Sequence, residues 1–376
     1  VIKMENKITK RTFIKSLVAG LSTTGLLTAI DKSFLTSARG QAMQDDDLYF
    51  IQTVRGRIKP SELGLTLIHE HLMVDFIGAD KASKDRYNQD EVFEVMLPYL
   101  KEIKDLGVTG FAECTPMFLA RDAELMKRFA DALDMHILTN TGMYKEPYLP
   151  QYAFEKSADE LAQMWISEIK DGIEGTQIKA GFIKIAVNPG SLIPIQQKIV
   201  RASARTSKAT GATIACHTGH GVAVMETLSI LKEEKLPLEK FIFVHAGSEG
   251  DIKYHLAVAE QGAWVEYDSI SPGEANRYIQ LIKTMIDNGH EDRLLLSQDA
   301  GWYNVGQAKG GNIRGFAYII KDFIPLMEKS GIDKTMIDKF LITNPAKALR
   351  IPIKSGEGVN PEGKLKSTFG KVKSDN

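Results

Sequence analysis

Five residues that bind metals well fall at equivalent places along the chain, each at the carboxyl end of a short apolar run. His69 and His71 follow the run Leu65–Ile68 as His-x-His, and alternation along an extended strand turns both imidazoles to one side. His217 ends the run Ala212–His217, His245 ends Phe241–His245, and Asp299 follows Leu294–Gln298. Each histidine alone is more often a hydrogen-bonded structural residue. Four imidazoles and a carboxylate drawn to one place make a nitrogen/oxygen site suited to zinc, manganese, iron or cobalt. Lys184 stands out for another reason. The segment Gly181-Phe182-Ile183-Lys184-Ile185-Ala186-Val187 is otherwise apolar, and a charged lysine inside such a strand needs a partner. Two solutions stand. One is a link to an acid such as Glu113, near the end of the run Val108–Cys114. The other is loss of the charge: a neutral amine takes up carbon dioxide as a carbamate, whose two oxygens bridge two metals.

These residues need a scaffold that gathers strand ends. From Tyr49 onward, short β-like runs alternate with longer helical patterns such as Val92–Leu106 and Ile195–Thr210. With Met135–Asn140 and Ala263–Tyr267 the apolar runs number eight. Eight βα units predict an α/β fold, a closed (β/α)8 TIM barrel, whose strands all end on one face. An open doubly wound sheet is the competing topology; against it, no Gly-x-Gly-x-x-Gly turn follows the first run. Phe50–Val54 and Arg57–Pro60 flank a glycine turn and predict a short N-terminal β-hairpin. Asn344-Pro345 reads as a helix start, Asn as the cap and Pro as the first helical residue.

The 47 Lys and Arg balance 48 Asp and Glu, a net charge of −1, which argues against binding to nucleic acid or to anionic lipid. A composition of 43% apolar and 25% charged residues is that of an ordinary globular chain. Cys114 and Cys216 are too few for a disulfide framework or a four-cysteine zinc site, and both sit in apolar runs, as packed thiols do. Residues 6–30 contain no acid. Lys7, Lys10, Arg11 and Lys15 precede a weakly apolar stretch from Ser16 to Ile30, and small residues surround Ala38, Gly40 and Ala42. That is the layout of an export signal cleaved near position 42, and Thr9-Lys10-Arg11-Thr12-Phe13-Ile14-Lys15 resembles a twin-arginine signal with Lys10 in the first arginine's place. The stretch is shorter than the roughly 20 residues that span a bilayer, so no stable membrane anchor is expected. The expected layout is a signal over 1–42, a hydrolase barrel over 43–351, a polar tail over 352–376, and a periplasmic location.

Gly64-Leu65-Thr66-Leu67-Ile68-His69-Glu70-His71-Leu72 fits the pattern G-x-T-L-x-H-E-H-L. From about Phe50 to Leu349 the chain resembles the phosphotriesterase family of the amidohydrolase superfamily. Arg121-Asp122, Ala180-Gly181-Phe182-Ile183-Lys184-Ile185 and Asn344-Pro345-Ala346 agree with it. The resemblance implies two divalent metal ions, zinc first and manganese, cobalt or iron as alternatives. His69, His71 and Asp299 would hold the more buried ion, and His217 with His245 the more exposed one. Carboxylated Lys184 would bridge them together with a hydroxide, and Asp299 would take the proton during attack. Thr141-Gly142-Met143-Tyr144 resembles the lactonase pattern, where phosphotriesterases proper tend to carry tryptophan. Tyr144 either hydrogen-bonds at the site or packs its wall. Glu266-Tyr267-Asp268-Ser269-Ile270 lacks the arginine of acyl-homoserine-type lactonases. Tyr267 and Trp302 are expected in the substrate pocket; His136 is expected to be structural, and His255 and His290 to face solvent. The implied function is hydrolysis of a small lactone or related carboxylic ester, with weak phosphotriester hydrolysis on the side. Alternatives are an organophosphate triesterase and, in a different class, a non-catalytic exported metal- or ligand-binding barrel. By resemblance the chain forms a homodimer.

Overall fold

The computed structural model describes residues 46–353, so the expected export signal and nearly all of the polar tail lie outside the described residues. The described chain opens with the hairpin β1 (Tyr49–Thr53) and β2 (Gly56–Ile58), paired antiparallel through Thr53↔Gly56. Thr53 Oγ1 accepts from Arg55 N–H and donates to the Gly56 carbonyl, which closes the turn. β13 (Ile351–Pro352) adds a third antiparallel strand on the other side of β1, so the strand runs one residue into the segment expected as tail.

The barrel strands follow in order: β3 (Thr66–Val74), β4 (Gly110–Glu113), β5 (His136–Leu138), β6 (Asn140–Thr141), β7 (Phe182–Ala186), β8 (Ile214–His217), β9 (Phe241–Val244), β10 (Trp264–Tyr267) and β11 (Leu294–Leu296). All neighbouring pairs among them are parallel. β5 and β6 are two halves of the third barrel strand, interrupted at Thr139, whose carbonyl accepts from Gly181 N–H. The ring closes between the eighth strand and the first: His69 N–H donates to Ser297 Oγ at 2.9 Å, and Asp299 N–H donates to the His69 carbonyl at 3.1 Å. The architecture is therefore the expected (β/α)8 barrel. One strand was not expected. β12 (Gly301–Asn304) pairs in parallel with the far half of β3, Gly301↔His71 and Tyr303↔Met73, and this pairing carries β3 on to Val74.

The outer helices form because their apolar residues recur at helical spacing. In α1 (Gln89–Asp105), Val92, Met96, Leu100 and Ile103 make one buried stripe, and Asn88 caps the first turn by accepting from Asp90 and Glu91 N–H. Burial of each such side chain contributes roughly 1.5–3 kcal/mol. Below the strand ends the barrel interior is filled by Ile68, Leu138, Phe182, Ile242, Val244 and Leu295, which leaves only the top of the barrel for polar groups. The helix Asn344–Leu349 exists, but Asn344 is not its cap. It is fully buried, and its Nδ2 donates to the Glu291 and Leu294 carbonyls, tying the helix to the base of β11.

His255 corrects the expectation of a solvent-facing residue. It is fully buried in α2 (Ile252–Glu260), with Nδ1 2.8 Å from Tyr267 Oη and Nε2 3.2 Å from the Glu249 carbonyl. A neutral ring that donates from Nε2 and accepts at Nδ1 satisfies both contacts. Burial lowers its pKa from 6.5 to about 4. The folded state therefore resists a proton that the unfolded chain accepts at 6.5. The stability this residue contributes is complete above pH 6.5 and disappears as the pH falls through 4, about 3 kcal/mol in all. His255→Gln keeps one donor and one acceptor but cannot titrate. Urea unfolding at pH 7 and pH 4.5 should show the wild type losing about 2–3 kcal/mol more than the variant; equal losses would contradict the assignment.

Candidate metal centre

β3 presents His69 and His71 to the barrel axis, β7 presents Lys184, and His217, His245 and Asp299 come from the ends of β8, β9 and β11. The rings lie close: His69 and His71 centroids are 5.4 Å apart, His69 and His245 5.1 Å, His217 and His245 4.5 Å. Lys184 Nζ is 3.0 Å from His69 Nε2. Asp299 Oδ1 is 3.1 Å from His71 Nε2 and 3.9 Å from His69 Nε2. Two glycines make this closeness sterically feasible. Gly142 (φ +112) lies against the Lys184 carbonyl and Gly301 (φ +97) against the His71 carbonyl, each where any Cβ would collide.

Three of the four imidazoles have a tautomer set by what lies behind them. Thr115 Oγ1 already donates to the Met73 carbonyl, so at 2.7 Å it accepts from His71 Nδ1–H. His245 Nδ1 is 2.8 Å from Asp268 Oδ1, and His69 Nδ1 is 2.6 Å from Glu266 Oε1 and 3.3 Å from Asp268 Oδ2. Each ring thus spends Nδ1–H outward and keeps the Nε2 lone pair for the centre, the arrangement a metal-ligating histidine needs. Burial, assisted by the charge of Lys184, lowers His69 to about 3. Burial likewise lowers His71 and His217, so these rings are neutral at pH 7. Burial raises the Asp299 carboxyl, but the surrounding imidazoles of His71, His69 and His245 outweigh it and hold Asp299 below the usual range.

A metal fits this donor set. Asp299 Oδ1 is buried and makes no hydrogen bond, although His71 Nε2 is within reach; lone pairs converging without a proton between them are placed as co-ligands. His69, His71 and Asp299 each offer one ligand atom, all within 4.8 Å of one another. His69, His245 and Asp268 form a second such group, but Asp268 meets both rings at Nδ1 and serves as the carboxylate behind them.

Strain accompanies this placement. His245 (φ 58), Asp299 (φ 52) and Trp302 (φ 73) are left-handed without being glycine, at a cost of order 1–3 kcal/mol each. Carboxylates hold the first two. Asp268 accepts from both the backbone N–H and the ring of His245. Glu70, which points away from the metal side of β3, accepts from Ser297 Oγ, Gln298 N–H and Ala300 N–H, the residues around Asp299.

A sequence model of the Phosphotriesterase family matches residues 49–349. The chain belongs to the phosphotriesterase family. It is similar to an aryldialkylphosphatase of Saccharolobus solfataricus (30% identical over 77% of this chain and 96% of that protein) and to a phosphotriesterase homology protein of Escherichia coli strain K12 (28%, 75% and 97%). It is also similar to an N-acetyltaurine hydrolase of Mus musculus (27%, 78% and 96%). In this phosphotriesterase-family hydrolase the His/Asp clusters, with Lys184 beside His69, fit a binuclear site.

The pocket of this family member is lined by the six candidate ligands together with Tyr144, Trp302, Phe76, Leu119 and Thr115. Tyr144 Oη is 3.2 Å from His217 Nδ1, and Trp302 lies over His71 and Phe76. Lys184 takes no salt link from Glu113, whose carboxylate is occupied by the Leu72 and Thr115 N–H groups. Tyr267 corrects the expectation of a pocket residue: it is fully buried on the outer side of β10, against His255 and Tyr278. Glu266 and Asp268, the groups that do reach the centre from this strand, went unrecognised. Their Glu-x-Asp spacing repeats that of His69-x-His71 and could have found them.

Proposed function

We propose that this metal-dependent hydrolase opens a lactone or a related carboxylic ester. His69, His71 and Asp299 would hold one divalent ion, His217 and His245 the other, with zinc the first candidate and manganese, cobalt or iron the alternatives. Such ions supply a nucleophile at neutral pH by lowering the pKa of water to about 7, and they polarise the carbonyl under attack. Lys184 is almost wholly buried in an apolar strand, and no acid among the described residues is bound to its Nζ, which supports the carbamate: the amine adds carbon dioxide, releases a proton and becomes an anion. Asp299 starts ionised, with Oδ1 free to take a proton. The observation that favours a lactone is Tyr144. Burial raises its phenol far above neutrality, so it remains a hydrogen-bond donor at the pocket wall, able to meet a ring or carbonyl oxygen.

The test is a substrate panel on the zinc-loaded chain: γ- and δ-lactones, aryl esters, dialkyl aryl phosphates and N-acyl amines. Lactone turnover at least about a hundredfold above the triesters, near 2.7 kcal/mol in the barrier, is expected. Triester or amide turnover above lactone would replace the substrate assignment, and metal binding without any turnover would favour the non-catalytic barrel. The exported location and the homodimer belong to the same proposal. N-terminal sequencing of the mature chain and light scattering check them; an uncleaved cytoplasmic chain or a monomer would remove them.

A further inference from the structure

Lys145 follows Tyr144 on the loop after β6, half-buried, with Nζ 3.0 Å from His217 Nε2 and 5.6 Å from the centre of the Tyr144 ring. By contrast, the buried cation Arg121 is matched by Glu168 and Glu174, and the exposed Arg86 by Asp75. Among the described residues no carboxylate pairs with Lys145 Nζ. Its sequence neighbour Glu146 is engaged by Gln196 Nε2 instead. His217 is not a lasting partner for an ammonium, because the proposed hydrolase assigns that ring to a metal cation, which would repel the lysine. The nearby wall is aromatic: Tyr144 packs on Tyr148, Tyr148 on Phe76, and Phe76 on Trp302. Aromatic faces are electronegative and repel anions, while their low polarity strengthens any ion pair formed among them.

We infer that Lys145 is a specificity-determining residue whose ammonium receives an anionic substituent of the substrate, a carboxylate, sulfonate or phosphate carried beside the bond that is cleaved. The inference rests on the hydrolase assignment for where that bond sits. A lysine suits the task because its compact charge rides on a flexible four-carbon stem and can follow a substituent that differs in reach from one substrate to another. The bond it forms is a charge-assisted hydrogen bond, about twice as strong as a neutral one.

The test compares γ-butyrolactone with γ-carboxy-γ-butyrolactone on the zinc-loaded wild type, Lys145→Met and Lys145→Arg. Isothermal titration of the same proteins with glutarate adds a readout that needs no turnover. In Lys145→Met, KM for the carboxylated ring should rise roughly 10- to 100-fold with a smaller change in kcat, and the preference for the charged over the neutral ring should fall by a similar factor. Glutarate binding should weaken to match, and Lys145→Arg should restore most of both. An unchanged preference together with unchanged glutarate affinity in Lys145→Met would overturn the inference. If the wild type opens neither ring, the lactone assignment fails, and the glutarate titration alone decides the role of Lys145.

Discussion

Lys184→Met should lose at least about a thousandfold in kcat/KM, roughly 4 kcal/mol of transition-state stabilisation, together with its bound metal. Methionine nearly matches lysine in length and packs well in an apolar strand, so the variant removes the amine without opening a cavity. It also removes a buried amine that pairs with no acid among the described residues. In the metal-free state the variant should therefore be as stable as the wild type or more so. The two proteins should differ when zinc is added. The wild type should gain stability by mass action and the variant little or none, because the proposed bridging group is gone. Thermal melts with and without zinc, alongside kinetics, separate this outcome from simple misfolding. Full activity in Lys184→Met would exclude the bridging carbamate.

Glu70→Ala should destabilise the fold by about 3–5 kcal/mol, although Glu70 touches neither metal nor substrate. Its carboxylate accepts from Ser297 Oγ at 2.8 Å, Gln298 N–H at 3.1 Å and Ala300 N–H at 2.6 Å, all in a buried seam. Alanine leaves those donors with nothing to bond, and each buried orphan costs about 1–3 kcal/mol. The loss falls on the segment that keeps Asp299 left-handed, so zinc affinity should drop with stability even though every ligand remains. Glu70→Gln keeps one acceptor oxygen and sets an amide against the remaining donor; an intermediate loss is expected. Chemical denaturation and zinc titration measure both. A change below about 1 kcal/mol in Glu70→Ala would mean that the seam carries no such load.

How much of this site could be read beforehand depended on whether a residue's neighbours in sequence are its neighbours in space. His69-x-His71 was legible because strand alternation is local, and the barrel rule then gathered His217, His245 and Asp299. Lys184 was legible because a charge inside an apolar strand is conspicuous; alternation also puts it on the face of Phe182, toward the interior. The same alternation could have corrected Tyr267, which shares its face with Val265, both in the outer layer, while Trp264 packs inside. β12 was not legible. Its sequence, Gly-Trp-Tyr-Asn, reads as a turn, and it becomes a strand only because the far half of β3 is there to pair with it. Asn344 was misread as a cap because its partners, the carbonyls of Glu291 and Leu294, lie fifty residues away. Lys145 carries no signal in a loop sequence; it becomes visible only because no carboxylate among the described residues pairs with its Nζ.

The central claim is a two-metal centre built from His69, His71, Lys184, His217, His245 and Asp299. Elemental analysis of the purified wild-type chain, stripped and reloaded with zinc, tests it most directly. About two zinc ions per chain, falling below one when Lys184 is replaced by methionine, is the predicted result. A wild type that retains one ion or none, after reloading with zinc, manganese or cobalt in turn, would contradict it.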